Sequence, residues 1–351
     1  VSINEVMSLA DEQLLQPEAL AEVVVPALKA LEELDRILLG RPHLHRLVLV
    51  AVLARGHVLL EGLPGLGKTE LVKALGTLLE LDFSRVQFTP DLMPGDIVGS
   101  HILQEMESGQ REMAFRPGPI FTNILLADEI NRASPKTQSA LLEAMQERSV
   151  TLLGTTRMLP PPFFVLASQN PVDLEGTYPL PEAQLDRFLF KLSVTSPDVG
   201  TLAAIIGSRH RGEPPKADFS ISRPQLDALF EACDRIYIPK AVCTYIARLV
   251  HASHAANEEA NDVVKSYVDF GASPRAAIAI AESARAHALL RKSPTVGFDD
   301  VRAVTPAALN HRLILNYKAR IDGYNGQKVA TSLLENLSET GVAIAGLTVE
   351  G

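Results

Sequence analysis

The stretch GHVLLEGLPGLGKTE, residues 56–70, constrains the fold more than any other part of this chain. A short apolar run ends in glycine, and a glycine-rich turn leads directly into a helical pattern. Gly62, Gly67, Lys68 and Thr69 complete the spacing G-x-x-x-x-G-K-[ST]. Glycines at such a turn let backbone N–H groups face inward around a chain of phosphates, and the helix that follows aims its positive dipole end at the same anion. In this reading Lys68 reaches the β and γ oxygens, and Thr69 offers its hydroxyl to Mg²⁺. The plainer reading is a glycine-rich turn with no ligand.

The rest of the first half fits a sheet that would carry such a loop. GHVLLEG, FSRVQF, NILLADE, FFVLASQ and FLFKLSV are short runs rich in Val, Ile, Leu and Phe. Near-continuous apolar runs of this length suit central strands covered on both faces. Helical patterns alternate with them: Lys68 to Glu80, and Pro135 to Arg148 with Ser134 as cap and Pro135 at the first helical position. The alternation predicts a three-layer α/β domain with a parallel central sheet. Two helices, 18–39 and 43–54, precede it. Beyond Pro197 the strand patterns stop, and helices are expected at 198–210, 223–235, 240–256, 274–291 and 298–314, with one more near 326–337. EPPKADFS, residues 213–220, reads as a linker. The expected division is an N-terminal segment 1–17, an α/β core 18–212, a helical domain 213–320 and a tail 321–351.

Composition narrows the function classes. With 351 residues the chain has room for about two domains. Its two cysteines supply no disulfide framework. No apolar run approaches the roughly 18 residues of a membrane span. VSINEVMSLADEQ lacks the basic and apolar regions of a signal peptide, so the expected location is cytoplasmic. A net charge of -9 without a basic stripe disfavours nucleic acid as a partner. His251 and His254 in HASH have the spacing of a chelating pair, but no third ligand accompanies them, and a solvated helix face is the simpler reading.

Further candidates lie at the ends of the apolar runs. In LLADEINRASP, residues 125–135, a buried run closes on Asp128 and Glu129. Beside a phosphate loop, Asp128 would hold Mg²⁺ through water, and Glu129 would orient and deprotonate the attacking water. FFVLASQNP ends on Asn170, which either contacts the γ-phosphate or forms an ordinary Asn-Pro turn. In SPRAAIAIAE, Ser273 and Pro274 open a helix and Arg275 occupies its first turn, where a cation opposes the helix dipole unless an anion lies near. In PEAQLDRFLF, Arg187 just precedes a strand, one arginine among many on spacing alone.

Taken in order, GLPGLGKT, LLADEINRA, ASQNP, PEAQLDRF and ASPRA resemble the MoxR branch of the AAA+ ATPases, over about residues 20–315. The resemblance implies an AAA+ core with a helix-2 insertion, a C-terminal helical lid, and assembly into a ring, usually hexameric. It implies ATP and Mg²⁺ as ligands. It places Gly62, Pro64, Gly65, Leu66, Gly67, Lys68, Thr69 and Glu70 in the nucleotide-binding Walker A region, with Thr69 and Asp128 on the metal and Glu129 as the Walker B base. Asn170 matches sensor 1, Arg187 an arginine finger reaching the neighbouring subunit's site, and Arg275 sensor 2; Arg132 is typical of this branch. PDLMPGDIVGSHILQEMESGQREMAFRPGPIF matches the insertion, with ESGQ as its turn, and SVTLLGTTRMLP a second hairpin turning at Gly154. The implied role is chaperone-like remodelling or maturation of a client protein, often with a separate von Willebrand factor A domain protein as partner. Three rival readings stand beside it: a nucleotide-gated scaffold with slow turnover, a DNA-directed motor and a small-molecule kinase.

Overall fold

A computed structural model describes residues 15–105, 111–171, 176–209 and 214–339. The chain divides into two compact units, one spanning 22–231 and the other formed by the segment up to 21 with 232 onward.

The strands of the first unit are β1 (Val58–Glu61), β2 (Phe83–Gln87), β3 (Gly99–Glu105), β4 (Arg111–Pro117), β5 (Ile124–Asp128), β6 (Ser149–Leu152), β7 (Thr155–Met158), β8 (Phe164–Gln169) and β9 (Phe190–Ser193). Five of them build one parallel sheet in the order β2-β5-β8-β1-β9. These are the five apolar runs read from the sequence. The interior strands β1, β5 and β8 are buried along nearly their whole length, as strands covered on both faces are, whereas β2 at the rim keeps Arg85 and Gln87 exposed. Leu59, Leu125, Ala127, Val165 and Ala167 pack with Leu141, Leu142 and Met145 of the Pro135–Glu147 helix. The Lys68–Leu78 helix, through Leu71, Val72 and Leu75, buries its apolar side in the same unit and lies against β5 and β2. Sheet, helix and lid together make the AAA+ architecture that the motifs imply.

His57 fastens the lower end of this core. Its Nδ1 accepts from the Val165 N–H at 3.0 Å, so its Nε2 carries the proton and donates to the Met145 carbonyl at 3.2 Å. Complete burial pushes its pKa down to about 4.

Two hairpins stand off the sheet. β3 and β4 pair antiparallel from Gly99↔Pro117 to Glu105↔Arg111; the ESGQ turn between them lies outside the described residues. β6 and β7 turn through Leu153 and Gly154, both at positive φ (49° and 76°), the two-residue geometry that follows strand twist. The hairpins meet where the Arg157 guanidinium lies 4.0 Å from the centre of the Phe115 ring. Leu103, Met113, Leu153 and Met158 are exposed on them.

The structure corrects the element reading in four places. The 18–39 stretch is two helices, Pro17–Val23 and Val25–Ile37. Pro26 stands at the start of the second, where it has no N–H to continue the first. In the second unit strands do not stop after Pro197: β10 (Val268–Phe270) pairs antiparallel with β11 (Ile314–Leu315). Strands of three and two residues are too short to leave a period-two signature. The helix expected to reach 314 accordingly ends at Leu309, and the one expected to reach 256 ends at Ala252.

The second unit otherwise packs helices Lys240–Ala252, Pro274–Leu290, Phe298–Leu309 and Gly326–Asn336 around Tyr245, whose ring stands edge-on to Phe298 at 5.4 Å. Its buried acid, Asp300, is satisfied by His287 Nδ1 at 2.7 Å, the Gly297 N–H at 2.8 Å and Arg291 at 3.3 Å. His254 lies beyond its helix and donates from Nε2 to the Ala272 carbonyl at 3.2 Å. Among the described residues, no group of three His, Cys, Asp or Glu side chains is arranged to hold a metal.

Candidate active site

β1 lies between β8 and β9, so its C-terminal end projects from the interior of the sheet beside β8. The loop that follows is held close on every side. At Gly62 a Cβ would meet the Val194 carbonyl oxygen at 2.5 Å, and the Gly62 N–H donates to Gln169 at 3.2 Å. Gly65 and Gly67 take φ values of 77° and 79°, left-handed backbone that glycine adopts without steric conflict. A Cβ built on Gly65 meets nothing within 4 Å, so the loop encloses open space there. Lys68 begins the next helix, is buried, and donates from Nζ to the Gly62 carbonyl at 2.7 Å. Burial lowers its pKa, while Asp128 and Glu129 pull it back up.

One cavity of 380 Å³ gathers residues from five separate segments. Pro64, Gly65, Gly67, Lys68, Thr69 and Glu70 come from the loop and its helix. Arg85 and Gln87 come from β2, Asp128 and Glu129 from the end of β5, Asn170 from the end of β8, and Arg209 follows the Val199–Ser208 helix. The pairing of β8 with β1, Leu60↔Ser168 and Glu61↔Gln169, carries Asn170 to the loop.

Both acids are already engaged. Asp128 accepts from Ser168 Oγ at 2.5 Å and from Arg85 Nη2 at 2.7 Å. Glu129 accepts from Gln87 Nε2 at 2.7 Å and Arg132 Nη1 at 3.0 Å. Arg85 also donates to Gln87 at 3.1 Å, so β2 holds the acid pair from two linked side chains. Glu129 has φ 56° and ψ 49°, left-handed backbone that costs a non-glycine residue roughly 1 kcal/mol. Its N–H is fixed by Ser168 Oγ at 3.0 Å.

A second cavity, also 380 Å³, opens on the other side of the same loop at Gly65, Leu66, Gly67 and Lys68. Leu38, Leu39, Leu44, Leu71, Val194, Leu202 and Ile205 make it largely apolar, with Arg41 and His45 at its wall. His45 is buried and bonded through Nδ1 to Asp35 at 2.6 Å; burial lowers its pKa in spite of that acid. An apolar chamber joined to a phosphate-sized polar one matches the two ends of a nucleotide.

Arg187 is absent from the lining of both cavities. Its Nε is buried without a hydrogen-bond partner. Arg275 is exposed in the first turn of the Pro274–Leu290 helix of the second unit, and Ser273 before it makes no capping side-chain bond. The sequence reading missed Arg85, Gln87, Arg41, Arg209 and the apolar chamber. A signal existed for the first two: Arg85 and Gln87 are two apart in FSRVQF, hence on one side of their strand. The chamber residues are scattered from 38 to 205 and leave no local pattern.

The residues present fit a nucleoside triphosphate with Mg²⁺. A desolvated lysine held only by a carbonyl, a loop with open space at Gly65, and a hydroxyl and carboxylate in one cavity supply what the pair requires. Mg²⁺ is held by one or two carboxylates together with phosphates rather than by a protein cage.

Sheet order, loop and acid pair define a phosphate-loop nucleotide-binding domain of the AAA class. The pattern of the ATPase family associated with various cellular activities (AAA) matches residues 57–190, and that of the AAA lid domain matches 260–333. The chain is 43% identical over 321 residues to Chaperone MoxR1 of Mycobacterium tuberculosis, covering 92% of this chain and 84% of that protein. It is 30% identical over 301 residues to Protein MoxR of Methylorubrum extorquens, covering 81% and 86%. A crystal structure of a Cytophaga hutchinsonii protein superposes with a TM-score of 0.82 at 36% identity, over 92% of this chain and 97% of that one. The chain belongs to the MoxR family of AAA+ ATPases. With that family come ATP binding and hydrolysis and a chaperone-like role in general terms. No described helix is long and apolar enough to cross a membrane.

Proposed function

We propose that this chain hydrolyses ATP to ADP and phosphate in a cleft that a second copy of the chain completes, and that turnover drives remodelling or maturation of a client protein. The observation that carries this reading is the convergence of Lys68, Thr69, Asp128, Glu129 and Asn170 on one cavity at the end of the sheet. Gly62, Pro64, Gly65, Leu66, Gly67 and Glu70 shape the loop so that its amides face the phosphates. Lys68 takes a β or γ oxygen. Thr69 and Asp128 would hold Mg²⁺, which would offset the charge that develops on the phosphates. Glu129 accepts a proton from the attacking water, and Asn170 holds that water or the γ-phosphate in line. Arg187 acts on the neighbouring copy's nucleotide, which its absence from the lining of its own cavities supports. Arg275 answers to the γ-phosphate from the lid. The functional division proposed is an N-terminal segment 1–17, an α/β core 18–212, a lid 213–320 and a tail 321–351.

A ring, hexameric by analogy with the family, is the assembly that gives every site a neighbour. A separate von Willebrand factor A domain protein is the proposed partner, and the cytoplasm the proposed location. The deciding experiment is Glu129→Gln: ATP binding should persist while phosphate release falls by a factor of about 10² or more. Undiminished turnover in that variant sinks the assignment.

One observation favours a second reading, a nucleotide-gated scaffold with slow turnover. Asp128 and Glu129 are both tied down by Arg85, Ser168, Gln87 and Arg132. Phosphate release measured with and without a bound partner separates the two readings.

A further inference from the structure

Arg41 occupies an unusual position for a guanidinium. It lies between the two helices Val25–Ile37 and Pro42–Leu53, in the wall of the apolar chamber beside the phosphate loop. Its Nη1 donates to the Leu66 carbonyl at 2.5 Å and its Nη2 to the Thr195 carbonyl at 2.8 Å. Its Nε is buried without a hydrogen-bond partner. Both acceptors are neutral, and among the described residues no carboxylate forms an ion pair with it. A partly buried cation without a counter-charge is unfavourable until an anion arrives.

The bond to Leu66 has a geometric consequence. In a planar trans peptide the carbonyl and the N–H of one unit point in opposite directions. When Arg41 draws the Leu66 carbonyl toward itself, it turns the N–H of Gly67 the other way. Gly67 stands at the start of the Lys68 helix, with φ 79°, and lines the polar cavity with Gly65 and Lys68. Lys68 does the same from within the loop by holding the Gly62 carbonyl at 2.7 Å. Two cations thus hold the loop through its carbonyls, Lys68 at Gly62 from within and Arg41 at Leu66 from the chamber side.

We infer that Arg41 is a positioning residue for the nucleotide phosphates: it sets the Leu66–Gly67 peptide so that the Gly67 N–H faces the anion, and its unmatched charge favours a nucleoside di- or triphosphate. The inference rests on the nucleotide-site reading above. It also ties the loop to Thr195, just past the end of β9, so one side chain links the loop with the segment that leads to the Val199–Ser208 helix.

The test is calorimetric titration of the full chain with ADP and, separately, with adenosine, which lacks phosphates. Arg41→Met is expected to weaken ADP binding at least tenfold and to leave adenosine within twofold of the unchanged protein. Arg41→Lys keeps the charge but cannot span both carbonyls, and is expected to fall between. ADP affinity within twofold in Arg41→Met overturns the inference, as does a parallel loss for adenosine, which marks a merely structural brace. Should Arg41→Met fail to give a cooperative melt, Arg41→Lys decides: ADP affinity equal to that of the unchanged protein overturns the inference, and a threefold or greater loss confined to ADP supports it. Failure of the unchanged protein to bind ADP is a different result, and removes the nucleotide-site reading itself.

Discussion

Gln87 Nε2 lies 2.7 Å from Glu129 Oε2, so the residue proposed as general base is already receiving a hydrogen bond from the edge strand. A carboxylate oxygen engaged this way has to give up that bond before it can receive a proton from water. Gln87→Leu removes the donor while keeping the volume on β2. Turnover per site is expected to rise a few-fold with KM little changed, read as phosphate release at saturating ATP. A fall in turnover would mean that Gln87 supports Glu129 instead of restraining it.

Arg187 and Glu129 can be tested for their placement on opposite sides of one joint. Arg187→Ala and Glu129→Gln should each be inactive alone, the arginine variant by a factor of about 10³ or more. Mixed together, some joints pair an intact Glu129 with a neighbour's intact Arg187. Turnover should therefore reappear in the mixture. If it does not, Arg187 serves its own subunit or only the fold.

The glycines of the loop should separate folding from binding. Gly62→Ala puts a methyl 2.5 Å from the Val194 carbonyl oxygen, against the backbone, and should lower the melting temperature clearly. Gly65→Ala meets no atom within 4 Å and carries only the strain of its φ of 77°, roughly 1 kcal/mol. It should melt almost like the parent yet lose nucleotide affinity, because the methyl enters the space the phosphates need. Equal melting temperatures for the two variants would contradict this account.

His57 predicts how stability depends on acidity. Its folded pKa of about 4 lies below the ordinary value of 6.5, so the unfolded chain binds the proton more readily. Stability is then full above about pH 6.5 and declines as the pH falls toward 4, with roughly 3 kcal/mol lost across the whole window. His57→Gln can still donate and accept but does not titrate. Urea unfolding at pH 7.5 and pH 5 should show a smaller difference in this variant than in the parent; the same difference in both would exclude His57 as the source.

The interior strands β1, β5 and β8 were legible in the sequence because they are buried on both faces and read as unbroken apolar runs, and the rim strands β2 and β9 because Phe, Val and Leu recur in them. The loop was legible because its chemistry needs fixed spacing, and Asp128 and Glu129 because two acids closing such a run are conspicuous. β10 and β11 were not, being too short for any period. Arg41 was not, since nothing in LGRP distinguishes a loop arginine that meets Leu66 and Thr195 from a solvated one. Its partners are 25 and 154 positions away and accept through backbone oxygens, which carry no residue identity.

Among the described residues β2 sits at the margin of the sheet and pairs with β5 alone, whereas β1 pairs with both β8 and β9. The glycine-rich loop therefore follows a strand paired on both edges, and the side chains that bond to Asp128 and Glu129 stand on a rim strand. From that rim the chain runs on through Pro94–Val98 into the β3–β4 hairpin, where Leu103 and Met113 face solvent. If the proposed roles hold, a pull on the hairpin is expected to reach Arg85 and Gln87 before it reaches the glycine-rich loop.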